Sequence, residues 1–164
     1  MRKSVALVVV GCLVSVVAAA GEMTEAEAAI DGVLKSLHQA ASKADGELYF
    51  SLFADGAVFL GTDATERWSA DELKAFAEPY FSTGRGWTYT KTERHIHVAA
   101  NGQTAWFEEM LRNTTYGTCR GTGVLELVDG EWRISQYSLS IPIPNELAGV
   151  LTTRIKESEA AGSH

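Results

Sequence analysis

The sequence predicts an α+β domain: a cone-shaped, curved antiparallel or mixed sheet packed against three N-terminal helices. Three observations carry this. Apolar residues recur at helical spacing up to about residue 81, and from residue 86 onward they alternate. The alternating half also contains Asn101-Gly102 and Asp129-Gly130, dipeptides that mark tight hairpins. Helices followed by a run of antiparallel strands place the helices on one face of the sheet. A bent sheet closed by helices leaves a mouth suited to a small ligand.

The elements follow in order. Arg2 and Lys3 precede an uncharged apolar run, residues 4–20, that ends in small residues at Ala18 and Ala20. This is the layout of a secretory signal peptide over residues 1–20, and it predicts a secreted or periplasmic protein with no membrane attachment after cleavage. A lipoprotein box at Cys12 is the alternative, but the apolar run continues well past that cysteine. Residues 24–150 form the domain, and residues 151–164 a tail that is partly helical or disordered. Thr24 with Glu27 and Ser69 with Glu72 are capping-box signatures that open the first and third helices. Between them a short second helix stops at Asp55-Gly56 and a strand covers residues 57–61. Pro79 ends or bends the third helix near its last turn. Strands are expected over residues 87–99, 104–113, 119–128 and 131–141.

The formal charge of −7 becomes −9 once Arg2 and Lys3 are removed with the leader. Such a surface repels nucleic acid and anionic membranes, so neither is an expected partner. Cys119 is the one cysteine beyond residue 20, which leaves no internal disulfide. No CxxC, HExxH or Cys/His cluster is present, and no metal or cofactor is expected.

Pairing the strands through the two dipeptide turns sets His95 opposite Glu108, Arg94 opposite Glu109 and His97 opposite Trp106. It also sets Leu125 opposite Ile134, Gly123 opposite Gln136 and Gly121 opposite Ser138. A four-residue loop between the middle strands places Glu108 across from Gly123. On this register Arg94–Glu109 and Glu126–Arg133 are surface ion pairs. Their face also carries Phe107, Leu111, Val124, Tyr137 and Leu139, and it is the expected surface of a homodimer formed through the sheet. The opposite face carries Trp106, Met110, Leu125, Leu127, Trp132 and Ile134 and reads as core. Glu108 falls among them with His95, and Cys119 shares its side. A carboxylate there is costly to bury unpaired, so Glu108 and His95 are the candidate acid/base dyad, with Glu108 as base and His95 as relay. Gln136 and Ser138 are placed to hold a substrate oxygen. His97, Tyr89, Trp106, Met110 and Trp132 are the remaining candidates for a ligand lining.

The helix–helix–strand–helix–sheet order, with "FADGAVFLG", "AWFEEMLRN", "YGTCRGTGVL" and "GEWRISQYSLSIPIPN", resembles the SnoaL-like branch of the nuclear transport factor 2-like (NTF2-like) superfamily, whose fold is also called cystatin-like. The resemblance spans roughly residues 25–150. It implies a conical pocket in which family enzymes move a proton on a small, mostly apolar substrate. Ketosteroid isomerases do so with an Asp base, a Tyr and a protonated Asp. No aspartate of this chain falls at the pocket-facing strand positions named above. The expectation is therefore a small apolar ligand bound in the pocket. An isomerase, cyclase or lyase is the alternative, and a structural dimerisation module a further one.

Overall fold

The computed structural model describes residues 23–162; the expected leader, residues 1–20, lies outside them. The order is α1 (Glu25–Lys43), α2 (Gly46–Ser51), β1 (Phe53–Leu60), β2 (Arg67–Ser69), α3 (Ala70–Phe81), β3 (Thr90–Val98), β4 (Thr104–Asn113), β5 (Gly117–Val128), β6 (Glu131–Ser140) and α4 (Asn145–Ala160). The strands form one open, curved sheet in the order β2-β1-β6-β5-β4-β3, parallel between β1 and β6. The fold class is the one expected, α+β with helices on one face.

Both capping boxes form, satisfying the first backbone N–H groups of α1 and α3. The apolar stripe of α1, Ile30, Leu34, Leu37 and Ala41, packs into one core with Phe107, Leu125, Ile134 and Tyr137 of the sheet. α3 continues to Phe81 with Pro79 inside it. α2 stops at Ser51 instead of Asp55-Gly56, because β1 begins at Phe53 and passes through Gly56 at φ +73°. β2 has only three residues, too few to show a period. β3 begins at Thr90, while the Trp87 N–H bonds the Ala41 carbonyl at the end of α1. α4 runs across the expected boundary between residue 150 and the tail at 151, and none of its residues is buried.

The β3–β4 register is the expected one, with Arg94 opposite Glu109 and His95 opposite Glu108. The next turn is one residue shorter than expected. Asn113 pairs with Gly117 around Thr114–Tyr116, the Asn113 side chain accepts from the Thr115 and Tyr116 N–H groups, and Gly117 takes φ +72°. Glu108 therefore faces Thr122, and Glu109 faces Gly121. A one-residue slip reverses every side chain of a strand. Hence Ala105, Phe107, Glu109 and Leu111 point to the core, with Cys119, Gly121, Gly123 and Leu125. A second shift comes from a bulge at Ser135: Leu125 pairs with Ile134, but Val124 pairs with Gln136. Past the bulge Gly123 faces Tyr137 and Gly121 faces Leu139, so Tyr137 turns inward.

These two shifts correct the expected faces. Trp106 and Met110 lie on the outer face, as do Gln136 and Ser138, while Trp132 is in the core. Phe107, Leu111 and Tyr137 are buried beneath the helices, so the surface assigned to the dimer is core instead.

Candidate functional site

Glu109 is the one charged or polar residue among the described residues that is buried in the core. Three elements supply its partners. His38 of α1 places Nε2 2.9 Å from Oε1, and the Tyr137 O–H of β6 donates to the same oxygen at 2.8 Å. Arg94 of β3 donates to Oε2 from Nε at 2.9 Å and from Nη2 at 2.6 Å. Its remaining nitrogen, Nη1, donates to Asp31 Oδ1 of α1 at 2.6 Å, and Lys91 Nζ lies 3.3 Å from that oxygen. The carboxylate is thus fully engaged by charge-assisted bonds.

Glycine makes the room. A Cβ on Gly121 would lie 2.4 Å from the Tyr137 hydroxyl and 2.8 Å from Glu109 Oε1. Any side chain there displaces one of the two.

The electrostatics fix the protons. Burial opposes ionisation of Glu109, but the bond from His38, the charge that ring carries when protonated, and the charge and bonds of Arg94 outweigh it, holding the carboxyl below its ordinary value. Burial, then the neighbouring Glu109 charge, push the Tyr137 hydroxyl well above its usual range, so it remains a donor. Asp31 is partly buried, which raises it, yet Arg94 and Lys91 bring it below normal. An ionised carboxylate only accepts hydrogen bonds. Nε2 of His38 must then carry the hydrogen, which leaves Nδ1 bare in the neutral ring. No described group bonds Nδ1, and no buried side-chain N or O among the described residues lacks a partner, so Nδ1 reaches open space. The arrangement is an imidazole base whose tautomer is set by a buried carboxylate.

The open space is beside it. A cleft of about 460 Å³ lies between α1 and the start of β3, walled by Asp31, Lys35, His38, Tyr89, Lys91 and Arg94 among others. That volume falls in the range of ligand sites. On the other side of His38 is a chamber of about 30 Å³ bounded by Tyr49, Trp87 and Tyr137, room for roughly one water. An aromatic recess of about 200 Å³ follows, with Trp68, Phe76 and Tyr116. Tyr89 borders all three spaces, and burial raises its hydroxyl to about 12. Among the described residues, no three His, Cys, Asp or Glu side chains converge to hold a metal ion.

The expected dyad is placed differently. Glu108 and His95 are opposite each other, but on the outer face, with side chains 47 % and 56 % exposed. His95 Nε2 bonds Glu93 at 2.8 Å, and Glu108 lies 3.8 Å from His97, which stacks on Trp106. Met110 lines a separate depression of about 320 Å³ with Glu108 and His95, on the outer face of the sheet. Gln136 and Ser138 are half-buried on that outer face, away from His38. Of the named candidates only Tyr89 reaches the cleft. Asp31, His38, Arg94, Glu109 and Tyr137 were missed as a site. A signal was present in α1, where Asp31, Lys35, His38, Gln39 and Ser42 form a polar stripe at helical spacing beside the apolar one.

Several solved structures share this fold. An NTF2-like protein of unknown function from Pseudomonas putida KT2440 superposes with a TM-score of 0.64 at 19% identity, over 77% of this chain and 93% of that one. A cystatin-like protein of unknown function from Nostoc punctiforme gives 0.59 at 18% identity, over 74% and 96%. A proposed dehydratase of the NTF2-like family from Streptomyces avermitilis gives 0.59 at 14% identity, over 73% and 97%. The comparison with curated proteins finds no match. The SnoaL-like domain model matches residues 30–144, from the first buried residue of α1 past the end of the sheet to the start of α4, and the chain therefore belongs to the SnoaL-like domain family.

Proposed function

We propose that the domain binds a small organic molecule in the cleft between α1 and β3, and that His38 Nδ1 accepts a proton or hydrogen bond from it. One observation carries this: a buried, ionised Glu109 orients an imidazole whose other nitrogen is accessible and, in the neutral ring, free to accept. Cores rarely hold a fully buried carboxylate without cause. A carboxylate-set imidazole beside a cavity is a recurring acid/base arrangement. Isomerase- or dehydratase-type chemistry fits it, and the proposed dehydratase among the fold neighbours supports that class by analogy.

A second reading is structural. The cluster joins α1 to β3, β4 and β6, and a polar network that only fastens a helix needs no ligand. NMR separates the two. Nitrogen shifts of His38 in the wild type report the Nε2–H tautomer, and a screen of small aromatic ketones and acids is read on His38 and Tyr89. Binding that moves His38 and is lost in His38→Gln supports the ligand reading. A His38 ring blind to every compound leaves the fastening role.

The leader-like residues 1–20 support export of the mature chain, which mass spectrometry of the envelope fraction checks at the Ala20–Gly21 bond. We also retain a homodimer, through the sheet's outer face. Exposed Trp106 and half-buried Met110 and Val124 lie there, and α4 carries exposed Leu147, Val150, Leu151 and Ile155. A 16-residue helix is about 24 Å long, matching the width of six strands. A second copy supplies both surfaces reciprocally.

A further inference from the structure

We infer that the ligand of this cleft is a small monocarboxylate whose charge is held at Lys35. The inference rests on the binding role proposed for the cleft and adds the class of molecule.

The charges around the cleft do not cancel. The chain is acidic, with a formal charge of −7, yet three of the residues walling the cleft are Lys35, Lys91 and Arg94. Two carboxylates answer them, Asp31 in the wall and Glu109 beneath. Both are taken: Arg94 bonds each, and Lys91 shares Asp31. Lys35 has no ion pair or hydrogen bond among the described residues, so with the His38 ring neutral, the form in which Nδ1 can accept, the cleft keeps one uncompensated positive charge. A monoanion cancels it, whereas a dianion reverses it.

Geometry adds to this. Lys35 precedes His38 by three positions and so lies one turn away on the same helix face. A molecule held at the ammonium lays its adjoining atoms along that face toward His38, with Tyr89 opposite as an apolar wall. The type of anion follows from the donors. Phosphate favours the bidentate guanidinium fork, and the fork of Arg94 is already filled. An ammonium is a point charge, which a carboxylate satisfies.

The test titrates the purified protein with benzoate, its neutral isostere benzamide, and inorganic phosphate, read by calorimetry and by the His38 ring resonances. Benzoate is expected to bind and shift His38, with benzamide and phosphate at least fivefold weaker. Lys35→Gln should weaken benzoate about fivefold, the scale of one exposed charge contact. Lys43→Gln, a lysine of the same helix outside the cleft, should leave it unchanged. Equal binding of benzamide, stronger binding of phosphate, or an unaffected Lys35→Gln would each overturn the carboxylate assignment while leaving the cleft a ligand site. If none of the three shifts His38 but neutral ketones do, the charge argument again fails alone. If nothing shifts His38, the binding role fails with it.

Discussion

Glu108 and Glu109 are neighbours in the chain, yet one side chain is 47 % exposed and the other is sealed from solvent. Glu108 has a loose histidine contact across an outer surface. Glu109 has four hydrogen bonds from three residues on three elements. The same functional group is an ordinary surface charge in one case and the hub of a buried network in the other. What separates them is strand parity, and parity is set by a turn several residues away. The lesson is that the inward face of a strand is a property of its partner's register as much as of its own pattern.

The largest effect that sharpens this contrast is expected at Arg94. Arg94→Met leaves Glu109 buried without its cation and should cost about 3–5 kcal/mol in denaturant unfolding. Glu108→Gln should change stability by less than about 0.5 kcal/mol. A comparable loss from both would break the inside–outside distinction. Next comes Gly121→Ala, whose methyl collides with the Tyr137 hydroxyl and Glu109 Oε1, at about 1–3 kcal/mol. The outward-facing neighbour Thr122→Ala should cost far less.

The pH response follows from sign. Glu109 and Asp31 ionise more readily folded than unfolded, so their stabilisation is complete above the ordinary carboxylate range. It is lost as pH falls through their depressed folded values. Stability curves between pH 6 and 3 should therefore steepen below about pH 4.5 in the wild type and in Glu108→Gln. Glu109→Gln should start lower and lose its share of that slope. The smallest expected change is on association: light scattering should show a dimer that Trp106→Gln weakens without altering the fold by circular dichroism. A monomer at every concentration would remove the outer face as an interface.

Much of the fold was legible. Both capping boxes, the β3–β4 register and the Asp129-Gly130 hairpin follow from local chemistry, since each depends on residues a few positions apart. Arg94 opposite Glu109 was also readable. The site was not, for two physical reasons. The Asn113–Gly117 turn closes with three residues between its ends because Gly117 accepts a positive φ, and nothing in the alternation of β4 distinguishes that from four. Its apolar residues occupy both faces, Trp106 and Met110 outside, Phe107 and Leu111 inside, so the strand is ambiguous by itself. The bulge at Ser135 then hid Tyr137. His38 required the third dimension, because which turn of α1 crosses Glu109 is a matter of helix packing.

The Glu109 cluster has a dynamic consequence. Asp31 and His38 sit two turns apart on α1, and both are fastened through Arg94 and Glu109 to the sheet. Fraying of α1 from its N-terminus must stop there unless the whole clasp lets go. Amide protons of α1 beyond Asp31 should therefore exchange with solvent as one cooperative unit together with those of β4, and not progressively along the helix. Anything seated against His38 would slow that unit as a block, which makes hydrogen exchange in this one helix a gauge of occupancy for a site that no residue of the helix fills alone.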